Sequence, residues 1–468
     1  MIFATGGDVP IRILLSNIPA PRGAWRQRFM PKYPPLALAY MAAALRAAGA
    51  EVRVVDSETT SEEAFLSAAR EWSPHMVGLS ATMPMLRPAL ERAASLRKVV
   101  PRALLVVGGP LTQVFAERLV GPVAFDAAVR GEAEHLAPEL VARVREGGAY
   151  PFDPPLPGMT AMTASGIRTE PPVAPVADLD CLPLPAWDLL PRASRLMRHP
   201  LAWSDGPASA MITSRGCVFR CSFCYQYPFK TFYRHHSVTR VVEEARLLRN
   251  VYGVKHLRFL DDLFTLDRAH VLSLCEGLAR DLPDMTWHCN TRSDLLDPEL
   301  LRTMARAGCR VINLGLESGD ADDLRRLNKR PRRDPRSVID ECRAAGIDVI
   351  GQFILGFPWD TRRHLTKRLG FALSLPLRAA SFWPLIPFPG TPLYEEALAR
   401  HGEFDALFVE HVGINDPGPL FRPVYSPPGM TRAELGFWCV LAQAAFHAKP
   451  GVLKSQILSL LSAHRWKR

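Results

Sequence analysis

Eight residues carry the densest chemistry in the chain: Cys217-Val218-Phe219-Arg220-Cys221-Ser222-Phe223-Cys224. Three thiols at spacings of four and three follow a strand-like run, Ser209 to Ser214, and an Arg215-Gly216 turn. Thiolates are soft ligands that suit iron–sulfur clusters or zinc. A structural zinc site wants four closed ligands, and only three cysteines lie together here. A cubane held by three thiolates leaves one iron open to a small molecule. Zinc stays open as the alternative, with His235 or His236 as its fourth ligand.

The segments before this octet alternate apolar strands with amphipathic helices. Strands are expected at Ile13–Ile18, Glu51–Asp56, Met76–Ala81, Ala103–Val107 and Phe125–Val129. Helices are expected at Pro35–Ala48, Ser61–Trp72, Leu86–Val100 and in the stretch ending at Arg145. Continuous apolar strands separated by helices indicate a parallel sheet covered on both faces. Such sheets bind ligands beyond the carboxyl ends of their strands. Small and hydroxylated residues fall at those ends: Ser16, Asn17, Ser80, Thr82, Gly108 and Gly109, with Pro110 and Glu132 following close behind.

Residues 149–207 are rich in proline, which breaks helices and removes sheet donors, so they read as a linker; Cys181 within it reads as structural or free. From Ala208 to about Gly402 the strand–helix rhythm resumes, with strands expected at Ser209–Ser214, His256–Leu260, Thr286–Asn290, Val311–Leu316, Val349–Leu355 and Ser381–Ile386. Six such units fall two short of a closed eight-fold barrel. Polar residues lie in or just after these strands, where α/β barrels do their chemistry: Asp261, Asp262, Arg292, Glu317, Ser318 and Gln352. Each has a plainer alternative, since Asp262 could cap a turn and Arg292 could pair with Asp294. The tail, 403–468, reads as helical, with helices at Arg432–His447 and Val452–Arg465 and a basic end containing Trp466.

The CxxxCxxC spacing with Phe223 before the third cysteine resembles the radical S-adenosylmethionine (SAM) enzymes. The five-stranded unit ahead of it, with Tyr33-Pro34-Pro35-Leu36, Gly108-Gly109-Pro110 and Arg130-Gly131-Glu132, resembles the cobalamin (B12)-binding domain of the B12-dependent branch. Leu182-Pro183-Leu184-Pro185 is similar to the bridge between the two domains in that branch. The resemblance implies an α/β fold in three parts: a Rossmann-like cobalamin-binding domain (11–148), a partial (β/α)6 radical SAM barrel (208–402) and a helical C-terminal extension. It implies a 4Fe-4S cluster on Cys217, Cys221 and Cys224, with SAM near Phe223, Asp261, Asp262, Arg292, Glu317, Ser318 and Gln352. Phe223 would present its backbone to the adenine, and Glu317 would suit the ribose hydroxyls or ammonium. Cobalamin would lie near Ser16, Asn17, Ser80, Thr82, Gly108, Gly109, Pro110 and Glu132. One departure is that the Asp-x-His-x-x-Gly motif of many cobalamin domains is absent, and His75 reads as an ordinary residue before a strand. The lower face of cobalt would then be met by something else or nothing, unless the domain binds no corrin at all.

The activity so implied is methylation of an unactivated carbon, through a 5′-deoxyadenosyl radical and methylcobalamin, on a small-molecule, lipid, tetrapyrrole or peptide substrate. An external electron donor of flavodoxin or ferredoxin type is expected. The runner-up is a cyclase or rearrangement enzyme without net methyl transfer. A methylthiotransferase is disfavoured because the first cysteine is Cys181, so its N-terminal cysteine trio is missing. From a different class, a net charge of +10 would fit a non-catalytic cluster protein that binds RNA. The arginines are spread over nearly every helix rather than gathered in a patch, so nucleic acid is not the expected partner. Scattered cysteines, no apparent signal peptide and no apolar run of about 20 residues point to the cytoplasm. Peripheral membrane contact would run through the last helix.

Overall fold

The computed structural model describes residues 10–19, 32–147, 151–172, 174–197, 206–225, 232–401, 423–454 and 456. The first unit runs β1 (Ile11–Asn17), α1 (Leu36–Ala47), β2 (Ala50–Val55), α2 (Glu62–Trp72), β3 (Met76–Ser80), α3 (Leu86–Val99), β4 (Leu104–Gly108), α4 (Thr112–Leu119), β5 (Ala127–Val129) and α5 (Ala137–Glu146). Strands β1 to β5 are parallel in the order β2-β1-β3-β4-β5. Local signals explain the helices. Ser61 caps α2 by accepting from Ala64 N, and Phe65, Ala69 and Trp72 follow at helical spacing onto the core.

The sheet has seven strands rather than the five expected. An antiparallel hairpin, β6 (Met159–Thr163) and β7 (Gly166–Thr169), extends it beyond β5. The prolines of this stretch flank the hairpin instead of interrupting it, so no ladder donor is lost where pairing occurs. Helix α4 was also absent from the sequence reading. It has eight residues, and Phe115 inside it departs from helical geometry.

The second unit is a six-stranded parallel sheet in the order β8-β11-β12-β13-β14-β15. Its strands are β8 (Ala208–Met211), β11 (His256–Phe259), β12 (Thr286–Thr291), β13 (Cys309–Glu317), β14 (Asp348–Leu355) and β15 (Ala379–Pro384). Between β8 and β11 come the short pair β9 (Ser214–Arg215) and β10 (Arg234–His235) and helix α6 (Val238–Tyr252). Then follow α7 (Arg268–Asp281), α8 (Pro298–Arg306), α9 (Ala321–Arg326), α10 (Pro335–Ala344), α11 (Arg362–Ser374), α12 (Pro392–His401) and α13 (Arg432–His447). Asp297 caps α8 with proline at its first position, as the sequence suggests.

The run expected as one strand, Ser209 to Ser214, is divided. Its first part joins the barrel, while Ser214–Arg215 pairs antiparallel with Arg234–His235. The open β15 edge is covered by α13: Gln443 accepts from Phe382 N (3.2 Å) and donates to Ala380 O (3.1 Å), as a neighbouring strand would. Both hydrophobic cores cross between the units; one joins Phe115 and Leu119 to Phe357, Leu385 and Leu393. The expected last helix, Val452–Arg465, falls mostly outside the described residues. Among them, no helix is long and apolar enough to cross a membrane.

Candidate functional site

The carboxyl ends of both parallel sheets open onto one cavity of about 410 Å³. Ser80, Gly108, Gly109 and Glu132 line it from the first unit, and Ile212, Ser214, Gly216 and Asp262 from the second. Strand-end placement is the reason, since loops after parallel strands converge on one side of a sheet. A Cβ on Gly108 would meet open space, so a ligand can approach the chain on that side, while its carbonyl already accepts from Ala81 N (2.9 Å). Gly109 has φ +96°, and a Cβ there would lie 2.6 Å from Ala81 O, so a side chain is excluded both by strain and by contact. Leu15, Met41, Leu79, Val129 and Leu260 supply an apolar wall. No histidine is among the described residues that line it.

Other cobalamin candidates lie elsewhere. Ser16 is fully buried, bonded to Val55 O (2.7 Å) and Ser57 Oγ (2.8 Å). Asn17 holds Asp56 Oδ1 (3.0 Å) and Ser57 N (2.8 Å). These side chains tie β1 to the loop after β2 instead of lining the cavity. Thr82 and Pro110 are exposed and also outside the lining. His75 accepts from Arg12 N (3.0 Å), the ordinary role expected of it.

A half-buried ion network spans the two units along the cavity's lining. Glu132 holds Arg234 through both oxygens (2.8 and 2.9 Å) and lies 3.5 Å from Arg215; Glu134 holds Arg215 at 2.7 Å. Burial opposes ionisation of Glu132, but the bonds from Arg234 and the charge of Arg215 leave its pKa below the usual carboxylate range. Arg215 also covers the Tyr40 ring, 5.1 Å from its centroid. Sequence reading missed Arg215, Arg234, Glu134 and Tyr40. The available signal was position alone, because Arg215 stands two residues before Cys217 at a strand end.

The cysteine loop is pinned from below. Ser222 N donates to Leu327 O (3.0 Å), its hydroxyl to Arg326 O (2.8 Å), and Asn328 to Arg220 O (2.8 Å). Cys217, Cys221 and Cys224 are half-buried and free of disulfides. Arg292 approaches Cys221 Sγ at 3.8 Å, covers the Phe219 ring at 3.9 Å and pairs with Asp294 (2.9 Å). Burial raises the Cys221 pKa against the opposing charges of Lys329 and Arg292. Three soft donors in one braced loop, with cationic groups beside them, fit an anionic iron–sulfur cluster. Among the described residues no three His, Cys, Asp or Glu side chains converge on a single ion. A cubane does not need such convergence, since its thiolates bind different irons. His236 is engaged by Asp180 (3.0 Å), and His235 stacks on His270 (centroids 3.8 Å apart).

The SAM candidates divide by strand parity. Asp262 is exposed on the cavity wall. Asp261 points the other way, fully buried, and accepts from Thr213 N (3.1 Å), Thr213 Oγ1 (2.7 Å) and Ser214 Oγ (2.5 Å), which ties β11 to the end of β8. Glu317, at φ +61°, is paired with Lys329 (2.9 Å). Ser318 donates to Asp323 (2.6 Å), Gln352 accepts from Trp383 (3.2 Å), and Phe223 packs against the second core with Lys329 5.9 Å from its ring centroid.

Comparison with known proteins agrees with this architecture. A B12 binding domain matches residues 28–141, and the Radical SAM superfamily matches residues 211–372. An uncharacterized methyltransferase of Pyrococcus horikoshii is 31% identical over 432 residues, 91% of this chain and 90% of its own. The anaerobic magnesium-protoporphyrin IX monomethyl ester cyclase of Cereibacter sphaeroides is 30% identical over 412 residues, 86% of this chain and 65% of its own. Among solved structures, the radical SAM methyltransferase TsrM of Kitasatospora setae, with cobalamin and a 4Fe-4S cluster bound, aligns with a TM-score of 0.65 at 20% identity. It covers 92% of this chain and 81% of its own. The fold and cavity define an enzyme built from a cobalamin-type α/β domain and a partial barrel. The chain belongs to the cobalamin-binding radical SAM family, whose cofactors are a 4Fe-4S cluster, SAM and cobalamin, and within it the chain is methyltransferase-like.

Proposed function

We propose that this chain methylates an unactivated carbon of a small molecule. The observation that carries the reading is the single cavity onto which both sets of strand ends open, with Gly216, next to Cys217, on one wall and Gly108 on the other. When bound, the cofactors supply a hydrogen-abstracting radical and a transferable methyl group, chemistry that side chains cannot perform. Cys217, Cys221 and Cys224 hold the cluster, and Arg292 stabilises the charge on the sulfur it faces. Asp262 offers a carboxylate to SAM. The backbone at Gly108 and Gly109 and the Ser80 hydroxyl support the corrin, while the Glu132–Arg234 pair holds the two units in register across the gap. The apolar wall limits water around the reacting groups. An external flavodoxin- or ferredoxin-type protein supplies the electron.

The test is anaerobic turnover with methyl-labelled SAM, read by mass spectrometry. Label in the product supports methyl transfer. Deoxyadenosine without label in the product supports the second reading, a cyclase, which the similarity to the Cereibacter sphaeroides enzyme favours. Peripheral membrane contact through the basic C-terminal end is a separate proposal; unchanged liposome co-sedimentation after removal of residues 451–468 would dismiss it.

A further inference from the structure

The inner face of the barrel holds a positive charge that no carboxylate among the described residues meets. Alternate side chains of a strand share a face, so Arg258 on β11 points to the same side as Leu260, which lines the cavity. Most polar groups on that face satisfy one another. His256 lies 2.7 Å from both Thr286 Oγ1 and His288 Nδ1, and Asn313 donates to Asn290 (2.8 Å).

Arg258 is the exception. Among the described residues its hydrogen-bond partner is the Tyr33 hydroxyl, and its guanidinium covers the Tyr33 ring 4.9 Å from the centroid. Its Nε is buried without an acceptor, and no carboxylate among the described residues pairs with it. The stretch 20–31 leading to Tyr33 contains no Asp or Glu that could serve. Burial lowers the Arg258 pKa and raises that of Tyr33, so the phenol stays neutral and does not cancel the charge. A largely buried guanidinium with no counter-ion among the described residues is costly unless a ligand provides one, and its planar fork matches carboxylate and phosphoryl oxygens.

We infer that Arg258, oriented by Tyr33, receives an anionic group of the substrate, a carboxylate or a phosphoryl group, so that the substrate is an acid and not a neutral hydrocarbon. This rests on the proposed function, whose substrate it specifies. The test titrates holoenzyme, loaded with cluster and cobalamin, with methylphosphonate, propionate and the neutral dimethyl methylphosphonate. Wild-type protein binds at least one of the anions and not the neutral ester. Tighter binding of methylphosphonate assigns a phosphoryl group, and tighter binding of propionate a carboxylate. Arg258→Gln weakens anion binding about tenfold, the loss expected when a charge-assisted pair is removed. Arg258→Lys retains part of it. Iron and cobalamin content, measured before titration, show whether each variant is loaded. If Arg258→Gln fails to load cofactors, Tyr33→Phe, which keeps the charge and removes its orienting bond, weakens anion binding about threefold. Equal binding by wild type and variants, or no anion binding by wild type, overturns the inference. A raised KM for SAM in Arg258→Gln also overturns it, because the anion would then be the SAM carboxylate. Failure of labelled methyl transfer with anion binding intact would instead remove the proposed reaction.

Discussion

Asp261 and Asp262 differ by one position and have different work, because adjacent residues at a strand end face opposite sides. Asp262 faces the cavity, while Asp261 is enclosed by three donors from Thr213 and Ser214. Replacing Asp261 with Asn turns an acceptor of those bonds into a partial donor. The expected loss is about 2–3 kcal/mol of stability in urea unfolding, with KM for SAM in the surviving holoenzyme unchanged. A raised KM without destabilisation would return Asp261 to the cofactor contacts that the sequence suggested. At this scale the three thiols were legible because their spacing is covalent. Glu132 was legible as a strand-end residue, but its partners Arg215 and Arg234 were not, being 83 and 102 positions away. Ser16 and Asn17 were placed at the right strand end, yet their side chains serve the neighbouring loop, which periodicity cannot show.

Among the elements, α11 is anchored by a buried triad: Arg368 bonds Asp360 (2.7 Å), in the loop before α11, and Asp323 (2.6 Å), on α9. Arg368→Ala leaves two buried carboxylates uncompensated, at a cost of about 3–5 kcal/mol. Arg362→Ala, which breaks the exposed pair with Glu434 on α13, costs under about 1 kcal/mol. Thermal unfolding of the two variants compares them directly, and equal losses would contradict the account. On α6, Glu244 is fully buried and accepts from Trp187 Nε1 (3.1 Å); burial raises its pKa to about 7. Between the unfolded value near 4.5 and the folded value, the native chain keeps a proton that the unfolded chain releases, so this group removes stability as pH rises. Glu244→Gln therefore gains on wild type from pH 5 to pH 8, by up to roughly 3 kcal/mol. A difference between the two proteins that is the same at both pH values would refute that. Most strands and helices were legible because their apolar periods are strong. The hairpin at Met159–Thr169 was hidden by the prolines flanking it, and α4 by its brevity and its kink at Phe115.

At the scale of the whole molecule, function depends on two sheets whose carboxyl ends open onto one cavity, joined by shared apolar cores and by the Glu132–Arg234 and Glu134–Arg215 pairs. The order of the units was legible from rhythm and motif, and that the barrel faces a second domain followed from the family resemblance; the residues that join the two units were not legible, since they pair far apart in the chain. The central claim is that the cysteine loop leaves one iron of its cluster open to SAM beside that cavity. Electron paramagnetic resonance of the anaerobically reconstituted, reduced protein tests it most directly. Addition of SAM is predicted to change the signal of the cluster; a signal that stays the same in fully loaded protein would contradict the account.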